Sequence, residues 1–143
     1  MEPKSSASPS PGTTALIPER SKRASLMGHV QSELHDPESQ RLDAQRIAHT
    51  LNLPLSRLSR ALRVSPALLQ KSPDARSLQP GLANIAFCYG TLKEVLGTRE
   101  QALLWLSAPH PDLEAHTPLS LIEEGKSGAV VDLLKNALAG QMS

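Results

Sequence analysis

Residues 82–106 read LANIAFCYGTLKEVLGTREQALLWL, and this stretch decides the fold. Before Gly97 the apolar residues, Val95 and Leu96 among them, recur at three- and four-residue steps, which places them on one inward face of an α-helix. Gly97 is typical of the left-handed residue that ends a helix, and Thr98 followed by Gln101 is typical of a capping box that begins the next one. The stretch predicts a helix over residues 80–96 and a second that ends before Pro109, joined in a tight hairpin.

Further helices are predicted on both sides of this hairpin. Asp36, Ser65 and Thr117 each precede a proline, a pattern typical of an N-cap followed by a first-turn proline. They predict helices over residues 36–51, 65–71 and 117–123, and apolar spacing adds helices over 55–63 and 130–138. Aromatic residues make up only 2% of the chain, and no run alternates as a strand would. The predicted fold class is all-α.

Composition divides the chain into three segments. The Ser- and Pro-rich residues 1–25 lack periodic hydrophobicity, so we expect residues 1–35 to be a disordered or weakly structured tail, with a short helix near Leu26–Leu34. Residues 36–78 are expected to form a helix-turn-helix unit, and residues 79–143 a second helical domain. With 15 Lys and Arg against 14 Asp and Glu, the overall charge indicates no particular partner.

Residues 46–71 resemble the helix-turn-helix of the Xre repressor class. The resemblance implies that the helix beginning at Ser65 enters the major groove of operator DNA. No acidic residue lies between Leu51 and Ser72, so the local charge is positive and attracts phosphates. A purely structural three-helix unit remains an alternative, because the same packing is common without DNA binding. The residues expected to contact DNA are Arg57, Arg60, Arg63, Ser65, Gln70 and Lys71.

Residues 82–138 resemble the toxin-binding domain of the Xre/MbcA/ParS antitoxin family. The resemblance lies in an ordered series of segments: VLG at 95–97, EQALLWL at 100–106, PHPDL at 109–113, TPL at 117–119 and VVDLL at 130–134. It implies a type II antitoxin whose partner is a RES-domain toxin, an enzyme that consumes NAD or transfers ADP-ribose from it. In this family the antitoxin blocks the NAD cleft and often represses its own operon, and we expect a homodimer within a hetero-oligomeric complex.

Candidate toxin contacts fall in three places. Trp105 is the only tryptophan, a residue type enriched at interface hot spots, but a single tryptophan in a Leu-rich helix is also a common core residue. The proline-rich loop is rigid, so its binding costs little entropy, although it equally serves to turn the chain. The segment from Glu123 to Lys126 is expected to contact toxin, with a solvated segment as the alternative. The residues expected to contact toxin are Trp105, Pro109, Asp112, Thr117, Glu124, Gly125 and Lys126.

The sequence contains no motif for catalysis, so we expect no enzyme activity, no catalytic residue, no cofactor and no bound metal. The five histidines are scattered, and the single cysteine, Cys88, is expected to be an inert core thiol. No signal peptide and no apolar run of ~18 residues is present, so a cytoplasmic protein is expected. The alternative function is a stand-alone helix-turn-helix transcriptional regulator whose C-terminal half dimerises, and a weaker one is an adaptor that does not bind DNA.

Overall fold

A computed structural model describes residues 32–142 of the chain, and the predicted tail and its short helix lie almost entirely outside this range. Within it the protein is all-α, as predicted, and its only β-type pairing is an isolated bridge between His35 and Leu42. The helices are α1 (Ala44–Leu51), α2 (Leu55–Leu62), α3 (Pro66–Lys71), α4 (Gln79–Leu96), α5 (Arg99–Ser107), α6 (Pro118–Glu123) and α7 (Ser127–Met142), with short 3-10 helices at Arg76–Leu78 and Pro111–Leu113.

Three of the predicted N-caps are confirmed. The hydroxyl oxygens of Ser65, Thr98 and Thr117 accept hydrogen bonds from backbone N–H groups three residues later, at 3.3, 3.1 and 3.0 Å. Each bond satisfies an N–H that the first turn of a helix leaves without a partner. Gly97 ends α4 at a φ of 99°, which confirms the predicted stop and the tight hairpin with α5.

The predicted helix start at Asp36 is wrong. Its carboxylate accepts hydrogen bonds from the backbone N–H groups of Ser39 and Glu38, at 3.0 and 2.7 Å, and these bonds hold the pKa of Asp36 below its ordinary value. They close a turn instead of capping a helix, because Gln40 then takes a φ of 66° and breaks helical geometry. Helix α1 begins eight residues later, where the carboxylate of Asp43 accepts from the N–H of Arg46 at 3.1 Å.

One buried cluster runs through the described residues. Helix α4 lies at its centre and packs against α1, α5 and α7. Leu58 of α2 and Leu106 of α5 belong to the same cluster and are essentially inaccessible to solvent. Residues before and after position 79 therefore share a core, and the division into domains at 78/79 stays a prediction.

Two side chains also connect these parts of the chain by hydrogen bonds. The amide of Gln79 donates to the backbone oxygen of Leu42 at 3.0 Å and accepts from its N–H at 2.9 Å. The guanidinium of Arg99, in the first turn of α5, donates to the backbone oxygen of Thr50 at 2.8 Å and to Oδ1 of Asn52 at 3.2 Å. Both contacts fix the position of α1 relative to the α4–α5 hairpin.

The inward stripe predicted for α4 is wrong at its C-terminal end. Val95 is 50% exposed and Leu96 39% exposed, whereas Leu92, one turn earlier, is buried. The last turn of α4 lies at the tip of the hairpin with α5. Leu104 on α5 is also exposed, at 67%, so apolar side chains of the hairpin face solvent.

Candidate functional site

Helices α1, α2 and α3 pack together and contain two helix-turn-helix arrangements. Asn52, Leu53 and Pro54 connect α1 to α2, and residues 63–65 connect α2 to α3. Each connection contains a residue in the left-handed conformation, Asn52 at a φ of 57° and Arg63 at 60°. Sequence reasoning considered only the second arrangement. In the first, α2 is the second helix of the motif, which places Arg57 on the helix that could enter a groove.

The structure places the predicted DNA-binding residues on α2, on α3 and in the connection between them, and all six are exposed. Arg60 and Lys71 are exposed and form no ion pair with the described part of the chain. Gln70 is exposed at the end of α3. The hydroxyl oxygen of Ser65 caps α3, as predicted, by accepting from the N–H of Leu68, and its contact with DNA stays a prediction. Arg57 and Arg63 are exposed but engaged with α6.

The contact between α2 and α6 brings together two residue sets that the sequence had assigned to different partners. Arg57 forms an ion pair and hydrogen bond with the carboxylate of Glu123, and this bond raises the pKa of Arg57. The guanidinium of Arg63 donates to the backbone oxygen of Glu124 at 3.4 Å. A Cβ atom at Gly125 would lie 2.6 Å from Nε of Arg63, so Gly125 leaves room for the arginine. Candidate DNA contacts and candidate toxin contacts therefore adjoin.

An open groove lies beside this contact. It has a volume of about 460 Å³ and is lined by Arg60, Arg63, Ser120, Glu123 and Glu124. Two guanidinium groups from the α2 side thus face two carboxylates from α6. Such mixed charge suits a polar partner group more than an apolar ligand.

The other predicted toxin contacts lie around the loop between α5 and α6. The rings of Trp105 and His110 are 4.3 Å apart, and Nε2 of His110 lies 3.2 Å from the backbone oxygen of Trp105. Trp105 is half-buried and packs against the core, while Pro109 and Asp112 are exposed. Thr117 caps α6. This geometry is compatible with both interpretations of Trp105, core residue and contact residue.

The remaining predicted toxin contacts lie at the far end of α6. Gly125 has a φ of 83°, the left-handed conformation expected of a residue that ends a helix. The carboxylate of Glu124 lies 3.5 Å from the ammonium group of Lys126, and both residues are exposed. Helix α6 separates this group of residues from the loop that holds Trp105.

Sequence reasoning did not find two features of these surfaces. The hydrogen bonds from Arg99 to the end of α1 could not be found from neighbouring sequence, because the partners of Arg99 lie 47 and 49 residues away along the chain. The exposure of Leu104 was also missed, although Glu100, Gln101 and Ser107 on the same helix are exposed polar residues and could have indicated an outward face.

Residues 91–140 match the family model described as the antitoxin Xre/MbcA/ParS C-terminal toxin-binding domain. This part of the chain is thus similar to the toxin-binding domain of Xre/MbcA/ParS antitoxins. The resemblance inferred from the sequence is confirmed over this range, which includes α5, α6, the loop between them and most of α7. The matched residues include Glu123 and Glu124 but not the arginines that contact them, because α2 lies outside the match.

A solved structure also resembles this chain in its fold. A chain in the crystal structure of the M. tuberculosis MbcT–MbcA toxin-antitoxin complex superimposes with a TM-score of 0.50 and 24% identity, over 68% of this chain and 91% of that chain. The likeness extends the shared fold beyond the matched domain. No curated protein matches the sequence.

Residues 32–142 contain neither a helix suited to span a membrane nor a cluster of metal ligands. No helix there combines the length and apolar character needed to cross a membrane. The same residues contain no cluster of three or more His, Cys, Asp or Glu side chains arranged to hold a metal ion.

Proposed function

We propose that this chain is the antitoxin of a type II toxin-antitoxin system and that it neutralises a RES-domain toxin, an enzyme that consumes NAD or transfers ADP-ribose. The observation that carries the proposal is the match of residues 91–140 to the toxin-binding domain of the Xre/MbcA/ParS family. The fold shared with a chain of a toxin-antitoxin complex is consistent with it.

Inhibition by occlusion is the proposed mechanism. A surface that covers the NAD cleft of the toxin excludes the substrate, so the antitoxin has to supply no catalytic group. The loop between α5 and α6 suits this task because it is held before any partner arrives: the N–H groups of His110 and Ala115 donate to the backbone oxygens of His116 and His110, at 3.2 and 3.0 Å. A loop that is already ordered loses little conformational entropy on binding.

The test is to co-express the chain with a RES-domain protein encoded beside it, co-purify the two, and measure NAD consumption as antitoxin is added. We expect activity to fall to background near equimolar antitoxin. NAD consumption that persists in a molar excess of the chain would reject the proposal.

A charge-reversal pair maps the contact. Asp112 is exposed on the loop and its side chain forms no hydrogen bond or ion pair with the described residues, so we expect Asp112→Arg to leave the fold intact. If the loop binds toxin, we expect the affinity to fall at least about tenfold, because a misplaced interfacial charge costs several kcal/mol. Glu114→Arg makes the same charge change at an exposed position two residues away and serves as the control. If both variants bind toxin with equal affinity, Asp112 is not part of the contact.

We also infer that the chain represses its own operon by binding operator DNA as a homodimer through α2 and α3. Support comes from the absence of acidic residues between Leu51 and Ser72 and from the exposed, unpaired charges of Arg60 and Lys71. Arg60→Ala should weaken DNA binding and reduce the slope of log K against log salt by about 0.9, the value of one lost phosphate contact. Lys135→Ala removes an equal charge from α7 and should change the slope little. DNA binding without any co-encoded toxin would favour the stand-alone regulator.

A further inference from the structure

Arg57 and Arg60 lie on α2, and Arg63 follows its last residue, so three arginines recur at three-residue steps. The end of α6 engages Arg57 and Arg63. Glu123 is the main acceptor, and its side chain is only 13% exposed because it lies against α2, whereas the side chain of Arg57 is 46% exposed. The arginine therefore keeps one side open to solvent while its charge is neutralised by a carboxylate that is mostly shielded.

A carboxylate and a phosphate use a guanidinium in the same way. Both offer oxygen atoms to its planar fork of N–H donors, and both form charge-assisted hydrogen bonds with it. A guanidinium already bonded to a carboxylate must break that bond before it can pair fully with a phosphate. The open groove beside Glu123, with a volume of about 460 Å³, has room for a phosphate. Arg60 lines this groove and has no ion-pair partner among the described residues, so it attracts a phosphate to the groove.

We propose that Glu123 is an internal competitor for phosphate at Arg57, so that the contact between α2 and α6 lowers the affinity of the arginine face for a nucleic-acid backbone. This inference rests on the proposed DNA binding and deepens it. The ligand class is the phosphodiester backbone of duplex DNA, bound through charge and without regard to base sequence.

The charge distribution favours duplex DNA over an acidic protein as the ligand. Residues 52–71, which contain α2 and α3, include no acidic side chain, so nothing on these helices repels an extended polyanion. The acids that oppose the arginines, Glu123 and Glu124, both come from the end of α6. Removing the charge of Glu123 therefore converts this surface to one dominated by arginine.

The experiment measures the affinity of the full chain for a random-sequence DNA duplex by fluorescence anisotropy over a series of salt concentrations. Glu123→Gln keeps the shape of the side chain and removes its charge, and we expect it to bind about two- to fivefold more tightly, the range of a partly exposed ion pair. The slope of log K against log salt should become steeper by about 0.9, because Arg57 gains one phosphate contact. Glu123→Ala should give the same gain, and circular dichroism of both variants checks the fold.

Two controls separate this contact from a general charge effect. Glu114→Gln changes the net charge equally at an exposed loop position and should leave the slope unchanged. In an Arg57→Gln background, Glu123→Gln should give no gain beyond that of Glu114→Gln, since the released arginine is absent.

The outcomes distinguish this inference from the function on which it rests. If Arg60→Ala weakens binding but Glu123→Gln behaves like Glu114→Gln, the internal competitor is rejected and DNA binding stands. A gain that persists in the Arg57→Gln background also rejects it. If neither the wild type nor Glu123→Gln binds duplex, both DNA binding and this inference are rejected.

Discussion

Leu58→Ala tests whether the helices before and after position 79 unfold together. Leu58 lies on α2 and is fully buried in a cluster that also contains Leu106 of α5. Shortening the buried isobutyl side chain of a leucine to a methyl group costs about 2 to 5 kcal/mol, from lost transfer energy and the cavity left behind. With a urea dependence of about 2 kcal/mol per molar, the midpoint of unfolding should fall by roughly 1 to 2.5 M.

Trp105 provides the decisive signal for this experiment. It is the only tryptophan and lies on α5, so its fluorescence reports on the part of the chain that does not contain Leu58. We expect the fluorescence transition and the far-ultraviolet circular dichroism transition to coincide and to shift together in Leu58→Ala. Leu104→Ala makes the same chemical change at a 67% exposed site and should cost less than about 0.5 kcal/mol. A Trp105 transition that stays in place while helicity is lost earlier would refute the shared core.

Three further predictions concern individual residues. Gly97→Ala should lower the free energy of unfolding by about 1 to 2 kcal/mol, because the φ of Gly97 is 99°. Gly128 lies in α7 with open space around its Cβ position, so Gly128→Ala should raise the free energy of unfolding by roughly 0.5 to 1 kcal/mol. Thermal denaturation of both variants checks the signs. Arg99→Gln should cost about 1 to 2 kcal/mol in urea unfolding, because the hydrogen bonds to Thr50 and Asn52 are lost, and a cost below about 0.3 kcal/mol would contradict their role. Burial raises the pKa of Cys88 from its usual 9.0 to about 12, so the unfolded chain loses the thiol proton at a lower pH than the folded chain. The free energy of unfolding should therefore fall as pH rises from about 9 to 12, by at most ~1.4 kcal/mol per pH unit. Cys88→Ala should remove this part of the pH dependence.

Local sequence patterns predicted the helix ends well where the chemistry is itself local. A hydroxyl at Ser65, Thr98 or Thr117 reaches an N–H three residues away, and Gly97 ends a helix through its own backbone. Asp36 shows the limit of such patterns, because the same carboxylate can close a turn or cap a helix. Here the turn forms, and the residue at position 40 then takes a left-handed conformation that no helix would continue through.

Contacts between distant residues could not be predicted in the same way. Arg57 and Glu123 are 66 residues apart, and neither residue carries a local sign of the other. The sequence correctly indicated that α2 is basic, but the pairing depends on how α6 packs against α2. The prediction that Val95 faces inward failed for the same reason. Helical spacing shows which face of a helix is apolar, but it does not show where a neighbouring helix stops covering that face.

The pairing of Arg57 with Glu123 ties the evolution of two surfaces together. A lineage that adapts the end of α6 to a different protein changes the acid that opposes α2, and therefore changes how strongly the chain is attracted to nucleic acid. Among relatives, we expect positions 57 and 123 to vary jointly: where an uncharged residue replaces the glutamate, selection against indiscriminate DNA binding should also remove the arginine.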